Sequence, residues 1–248
     1  MNLPVHEILA TNQDIQVRAA TDIGDADDAT IDGWELAASR RALGNLRTLL
    51  NGRPMLDLIA DQVDASTSRY RRYASESEGR FRGGHVLLTL TGITVKELFS
   101  MVSRLMKDAG GTAEAREAAS LEFLFPSHPE HYGLAAGSVG VVETMGGSPT
   151  LTHVSVIDPE EAPEDVRSHM DPSYDVSTVG RGLLDDDETV QSYVVQQFKD
   201  TDDGMVADLW IFYPQAAPAS DVEEHLRHYA VEFRNGARLA AAARRTEA

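Results

Sequence analysis

The sequence contains no cysteine. Disulfides, thiolate metal sites and cysteine nucleophiles are therefore excluded. Basic residues are scarce: 22 Lys and Arg stand against 40 Asp and Glu, giving a formal net charge of −18. A surface that negative repels phosphate backbones and anionic lipid heads, so neither nucleic acid nor membrane is expected as a partner. No apolar run approaches the roughly 20 residues that a bilayer span requires. The opening MNLPVHEILATNQD lacks the basic start and apolar run of a secretory signal, so a cytoplasmic location is expected. Several catalytic signatures are missing as well: a Gly-x-Ser-x-Gly elbow, a phosphate-binding glycine loop and His-Glu-x-x-His. Gly137 to Gly140 lead into a strand pattern, not a helix, which excludes a dinucleotide-binding turn.

What is present is enough for a folded core. Apolar residues make up 42% of the 248 positions, so the acidic balance does not imply disorder. Residues 1–33 are weakly patterned, and Asp22 to Asp28 read as a solvated acidic loop because the spaced ligands of a calcium loop are lacking. From Trp34 to Val63 leucines recur at helical spacing, broken by Asn51-Gly52-Arg53-Pro54. Residues 1–82 thus read as a small helical N-terminal subdomain, a natural place for homodimer contacts. Its end carries the basic cluster Arg69, Arg71, Arg72, Arg80 and Arg82, which can grip an anionic ligand but is expected rather to balance the surrounding acids or support the subdomain junction.

Residues 83–248 read as a second domain. His85–Thr91 alternate as a strand. Thr94 and Glu97 form a capping box before an amphipathic helix carrying Leu98, Phe99, Val102 and Leu105. Further strands are predicted at Leu121–Phe125, Ser138–Glu143, Leu151–Ile157, Val176–Leu184, Val190–Phe198 and Met205–Tyr213. A hairpin turn is expected at Gly146-Gly147. A final helix begins at Ser220 or Asp221 and runs to about Arg244, with Leu226, Tyr229, Phe233, Ala237 and Ala240 on one face. Short connections make consecutive strands antiparallel neighbours, and one apolar face of the sheet needs a cover. The expected class is α+β, an antiparallel sheet wrapped on a long C-terminal helix. This is the helix-grip arrangement of Bet v 1 and START-like proteins, with a small-molecule cavity between sheet and helix.

The densest chemistry is Ser127-His128-Pro129-Glu130-His131-Tyr132. Imidazoles serve both as neutral metal ligands and as acid/base groups near neutral pH. Equally, His128 can cap a turn while His131 packs under Tyr132. Glu143 lies within an apolar strand, where a carboxylate must face outward or find a partner. Glu232 follows His228 by one helical turn and can face either cavity or solvent.

The stretch Leu90-Thr91-Gly92-Ile93-Thr94, then Phe125-Pro126-Ser127-His128-Pro129-Glu130-His131, then His228, Glu232-Phe233 and Asn235 resembles the 2,4-diacetylphloroglucinol hydrolase family. The resemblance implies a Bet v 1-like domain behind a small helical one. It implies cleavage of a carbon–carbon bond beside a ketone in an acylated phenol, polyketide or β-diketone. The metal, Zn2+, would be held by His131 or His128 with Glu143 and Glu232. The spare histidine of the His128/His131 pair, or Tyr213, would act as acid/base. The resemblance also implies a histidine on the penultimate strand, where this chain has Gln196-Gln197. His153 and His169 are possible substitutes. Loss of that ligand is the mark of an alternative, a non-catalytic helix-grip protein that binds a small hydrophobic or aromatic ketone.

Overall fold

The computed structural model describes residues 17–22, 24–135 and 140–247. Ser138 and Val139, predicted to open a strand, lie outside the described residues. The chain divides into two compact units, up to Leu46 and from Arg47 onward. The unit that holds the sheet begins at Arg47.

In the first unit, β1 (Arg18–Thr21) and β2 (Gly24–Asp27) form a hairpin that the acidic sequence did not signal. The Asp27 carboxylate accepts from the Thr30 amide at 2.9 Å. It thereby starts helix α1 (Asp28–Leu50) in the manner of an N-cap. α2 (Arg53–Leu58) follows, with Pro54 in its first turn after Gly52, as the breaker pattern predicts.

The second unit is built on seven antiparallel strands in the order β3-β9-β8-β7-β6-β5-β4. These are β3 (Phe81–Thr91), β4 (His131–Ala135), β5 (Gly140–Met145), β6 (Ser148–Ile157), β7 (Val176–Leu183), β8 (Val190–Thr201) and β9 (Gly204–Pro214). The first strand pairs with the last, so the intervening helices must cross one end of the sheet. α3 (Ala60–Ser77) belongs to this unit, and its Tyr70 hydroxyl donates to Asp221 at 3.1 Å. α4 (Val95–Ala109) starts at the predicted capping box, with Thr94 and Glu97 bonded reciprocally. Two short helices, α5 (Ala113–Ala119) and α6 (Phe125–Ser127), flank a π-helical turn, Ser120–Leu124; α7 (Glu164–Arg167) lies between β6 and β7. α8 (Ala219–Glu247) lies along the sheet, burying Tyr229, Ala237 and Ala240 in the core. Strand order and the long terminal helix together define the Bet v 1-like helix-grip fold.

One predicted strand is a correction. Leu121–Phe125 is helical, and the seventh strand is His131–Ala135 instead. Phe123, Leu124 and Phe125 are all buried, whereas a strand alternates. Short apolar runs do not declare their period, and no glycine or proline separates this one from the preceding helix. The π turn therefore continues α5 up to Pro126.

The basic cluster divides: Arg71, Arg72 and Arg80 face carboxylates, whereas Arg69 and Arg82 donate to backbone carbonyls. Arg71 pairs with Asp185 at 2.7 Å, and Arg69 donates to the Met145 carbonyl at 3.1 Å.

Candidate metal centre

Two independent regularities bring four donor groups together. In the β4–β5 ladder His131 is the register partner of Glu143, so their side chains share one sheet face. On α8, His228 and Glu232 stand four residues apart and share one helix face. The helix grips the sheet so that both pairs meet. His131 Nε2 lies 3.1 Å from Glu143 Oε2 and 3.8 Å from Glu232 Oε1. His228 Nε2 lies 3.3 Å from Glu143 Oε2 and 3.8 Å from Glu232 Oε2. The two Nε2 atoms are 3.0 Å apart.

The electrostatics of this cluster favour a positive charge at its centre. His131 Nδ1 is 2.7 Å from the Leu124 carbonyl, which can only accept, so Nδ1 carries the hydrogen. With Nδ1 so engaged, Nε2 is the ring nitrogen that faces the Glu143 carboxylate and the His228 imidazole. Something positive must sit among these atoms. In the metal-free protein it is a proton. Burial disfavours the His228 imidazolium, but the hydrogen bond and charge of Glu143 raise its pKa to about 9. Burial likewise disfavours the Glu143 anion, yet hydrogen bonds from His131 and His228 hold its carboxyl well below the usual range.

The donor set also suits a divalent metal. Bonds of roughly 2.1 Å to four nitrogen and oxygen ligands give a tetrahedron with edges of roughly 3.4 Å. The separations found here, 3.0 to 3.8 Å, bracket that edge. His128, His131 and His228 are all buried, and each brings a ring nitrogen within 4.8 Å of the others, a placement able to bind a metal ion. Yet His128 stacks on His228, with centroids 3.7 Å apart and planes at 23°. Stacked rings send their in-plane lone pairs nearly parallel. His128 Nδ1 moreover accepts from the Glu130 amide at 3.0 Å, the turn-capping role open to it from sequence. Burial and the neighbouring His228 push the His128 pKa down to about 3.

The centre lies in the wall of a cavity of about 350 Å³ between sheet, α4 and α8. Leu98, Phe99, Val194 and Phe233 make its walls largely apolar, while Glu143 and Glu232 face into it.

Comparison with known proteins adds no family. No family model matches the chain, and no curated protein matches it in sequence. Among solved structures, Ara h 8.0201 is similar over 66% of this chain and 99% of its own, at 11% identity and TM-score 0.38. Protein MLL2253 from Mesorhizobium loti is similar over 65% of this chain and 98% of its own, at 8% identity and TM-score 0.38. An uncharacterized protein from Rhizobium leguminosarum covers 66% of this chain and 99% of its own, at 14% identity and TM-score 0.34. The fold assignment rests on strand order and the gripping helix, not on these likenesses.

His131, Glu143 and Glu232, singled out from sequence, do converge. Tyr213 stands apart from the cavity lining: it is fully buried and its hydroxyl lies 3.0 Å from His225 Nδ1. His225 does line the cavity. His153 pairs with Asp187 at 2.6 Å, and His169 stacks on Trp210 with centroids 3.9 Å apart. Neither of these two reaches the centre. Gln196 faces the cavity, whereas Gln197 points to the other face and donates to Asp208 at 3.3 Å. The residues that sequence reasoning left without a role are His228 and His225. The signal for His228 was its four-residue spacing to Glu232.

Proposed function

We propose that the protein is a zinc-dependent hydrolase that cleaves a carbon–carbon bond beside a ketone in an acylated phenol, polyketide or β-diketone. The observation carrying this is the convergence of His131 and His228 with Glu143 and Glu232 in the wall of an apolar cavity. These four residues would hold the metal, with His128 stacked behind His228 as its support. A bound zinc ion would polarise the ketone or supply a hydroxide at neutral pH.

The chain's own groups do the rest. Apolar walls from α4 and α8 hold the ring of the substrate and exclude water. The Leu124 carbonyl keeps His131 in the tautomer that presents Nε2. His225, hydrogen-bonded through Nδ1 to Tyr213, offers its other ring nitrogen to the cavity. Burial and the neighbouring His228 push the His225 pKa down to about 3, so its imidazole would take the proton released by the attacking water and pass it on to the leaving carbon, oriented by Tyr213. Tyr213 acts through His225 in this scheme and does not touch substrate.

A second reading is favoured by Gln196, which lines the cavity on the strand where the resemblance implies histidine. In that reading the protein holds an aromatic ketone without cleaving it. Elemental analysis of tag-free protein, purified without chelator or added metal, separates the two. Near-stoichiometric zinc followed by turnover of acylated phenols supports the hydrolase. Metal-free protein that refuses added zinc leaves the binding module. The oligomer proposed is a homodimer through α1, where Leu36 and Leu46 remain 52% and 54% exposed.

A further inference from the structure

Arg47, in the last turn of α1, is 6% exposed. Among the described residues its guanidinium has no carboxylate as a hydrogen-bond partner. It donates instead to four backbone carbonyls of a single loop: Phe125 at 2.8 Å, His128 at 3.1 Å, His131 at 2.8 Å, and Pro129. The cation also lies 4.6 Å over the Phe125 ring. Burial lowers its pKa only to about 10, so the group stays charged at neutral pH.

A buried arginine without a counter-ion needs its compensation from dipoles. Here one dipole, the Phe125 carbonyl, belongs to the end of the α5–π–α6 helical run, and those of His128, Pro129 and His131 belong to the turn that follows and to the first residue of β4. Those carbonyls lie in the segment that carries His128 and His131. The same loop is tied from its other side by Asn235, which donates to the Ser127 carbonyl at 3.0 Å. It contains two prolines and no long run of ladder hydrogen bonds, so it has little shape of its own.

We infer that Arg47 is a positioning residue for the metal centre: it fixes the 125–131 backbone so that His131 presents Nε2 to Glu143 and His228. This rests on the metal reading above. The planar fork is essential to it, because one guanidinium spans four carbonyls that a lysine ammonium cannot reach together.

The test compares the full-length chain with Arg47→Lys and Arg47→Ala. One readout is cobalt(II) affinity, followed by its visible absorption bands. The other is amide hydrogen exchange in residues 124–131 measured against β8 and β9. Arg47→Ala is expected to weaken cobalt binding by roughly 10–100-fold. Exchange should accelerate in 124–131 alone, and millimolar guanidinium should restore part of both. Arg47→Lys should recover less than half of the lost affinity on a logarithmic scale. Exchange that rises equally in β8 and β9 would make Arg47 a general stabiliser and overturn the inference. Wild-type affinity with wild-type exchange would overturn it too. If the unmodified chain binds no cobalt, the metal reading falls, and the exchange pattern alone upholds or overturns the hold of Arg47 on the loop. Should Arg47→Ala fail to fold, Arg47→Lys carries both readouts.

Discussion

His131 and Glu143 are register partners on neighbouring strands, and that pairing sets His131 Nε2 3.1 Å from the Glu143 carboxylate. The contact is thus made where the loop held by Arg47 enters the ladder. Replacing Glu143 by Gln, or Glu232 by Ala, should abolish zinc retention while far-UV circular dichroism stays unchanged. Full zinc content in both purified variants would sink the four-ligand site. In the metal-free protein Glu143→Ala should also lower stability at neutral pH, because His228 loses the partner that raises its pKa and the ion pair disappears. A urea titration reads that.

Metal uptake should release a proton. The His228 imidazole, raised to about 9 by Glu143, holds a hydrogen at neutral pH that a metal must displace. Apparent zinc affinity should therefore rise about tenfold per pH unit below that value and level off above it. Competition with a chelator between pH 6 and 9, corrected for the chelator's own protonation, checks the slope. An affinity independent of pH would mean that His228 is not a ligand.

Catalysis and metal binding should separate at His225. His225→Phe keeps the packing beside Tyr213 and Tyr229 but removes the relay. A loss of roughly 100-fold or more in kcat is expected with zinc content unchanged. Tyr213→Phe should show a smaller loss in the same direction. Zinc lost along with activity in His225→Phe would instead place His225 in the metal shell.

The α4 cap gives a prediction about stability alone. Thr94 Oγ1 accepts from the Glu97 amide, and the Glu97 carboxylate accepts from the Thr94 amide. Thr94→Ala should lower stability by about 1 kcal/mol, read by urea unfolding, with zinc content untouched.

The homodimer is tested at its exposed leucines. Leu46→Glu with Leu49→Glu places charges on side chains now 54% and 77% exposed. Sedimentation velocity should find the wild type dimeric and the double variant monomeric. A wild type that sediments as a monomer at micromolar concentration removes the dimer.

Much of the fold was legible because it is written in local periods. Thr94 and Glu97 announced a helix start, Gly146-Gly147 a hairpin, and the face from Leu226 to Ala240 the gripping helix. Absent cysteine confined any metal site to imidazole and carboxylate. Where three apolar residues ran together at Phe123-Leu124-Phe125, local pattern had no period to offer, and tertiary packing chose the helix.

The site was half legible for the same reason. His131, Glu143 and Glu232 could be named, but the face that each occupies depends on register and on the rotation of α8 against the sheet. Those are set by burial summed over the whole core. His228 and Arg47 acquire their roles through partners about 80 to 100 positions away in the chain. Sequence by itself determined which donor groups exist and which helices and strands carry them. Only the tertiary structure decided which of them meet, because convergence of four lone-pair donors is a product of packing, and no local pattern encodes it.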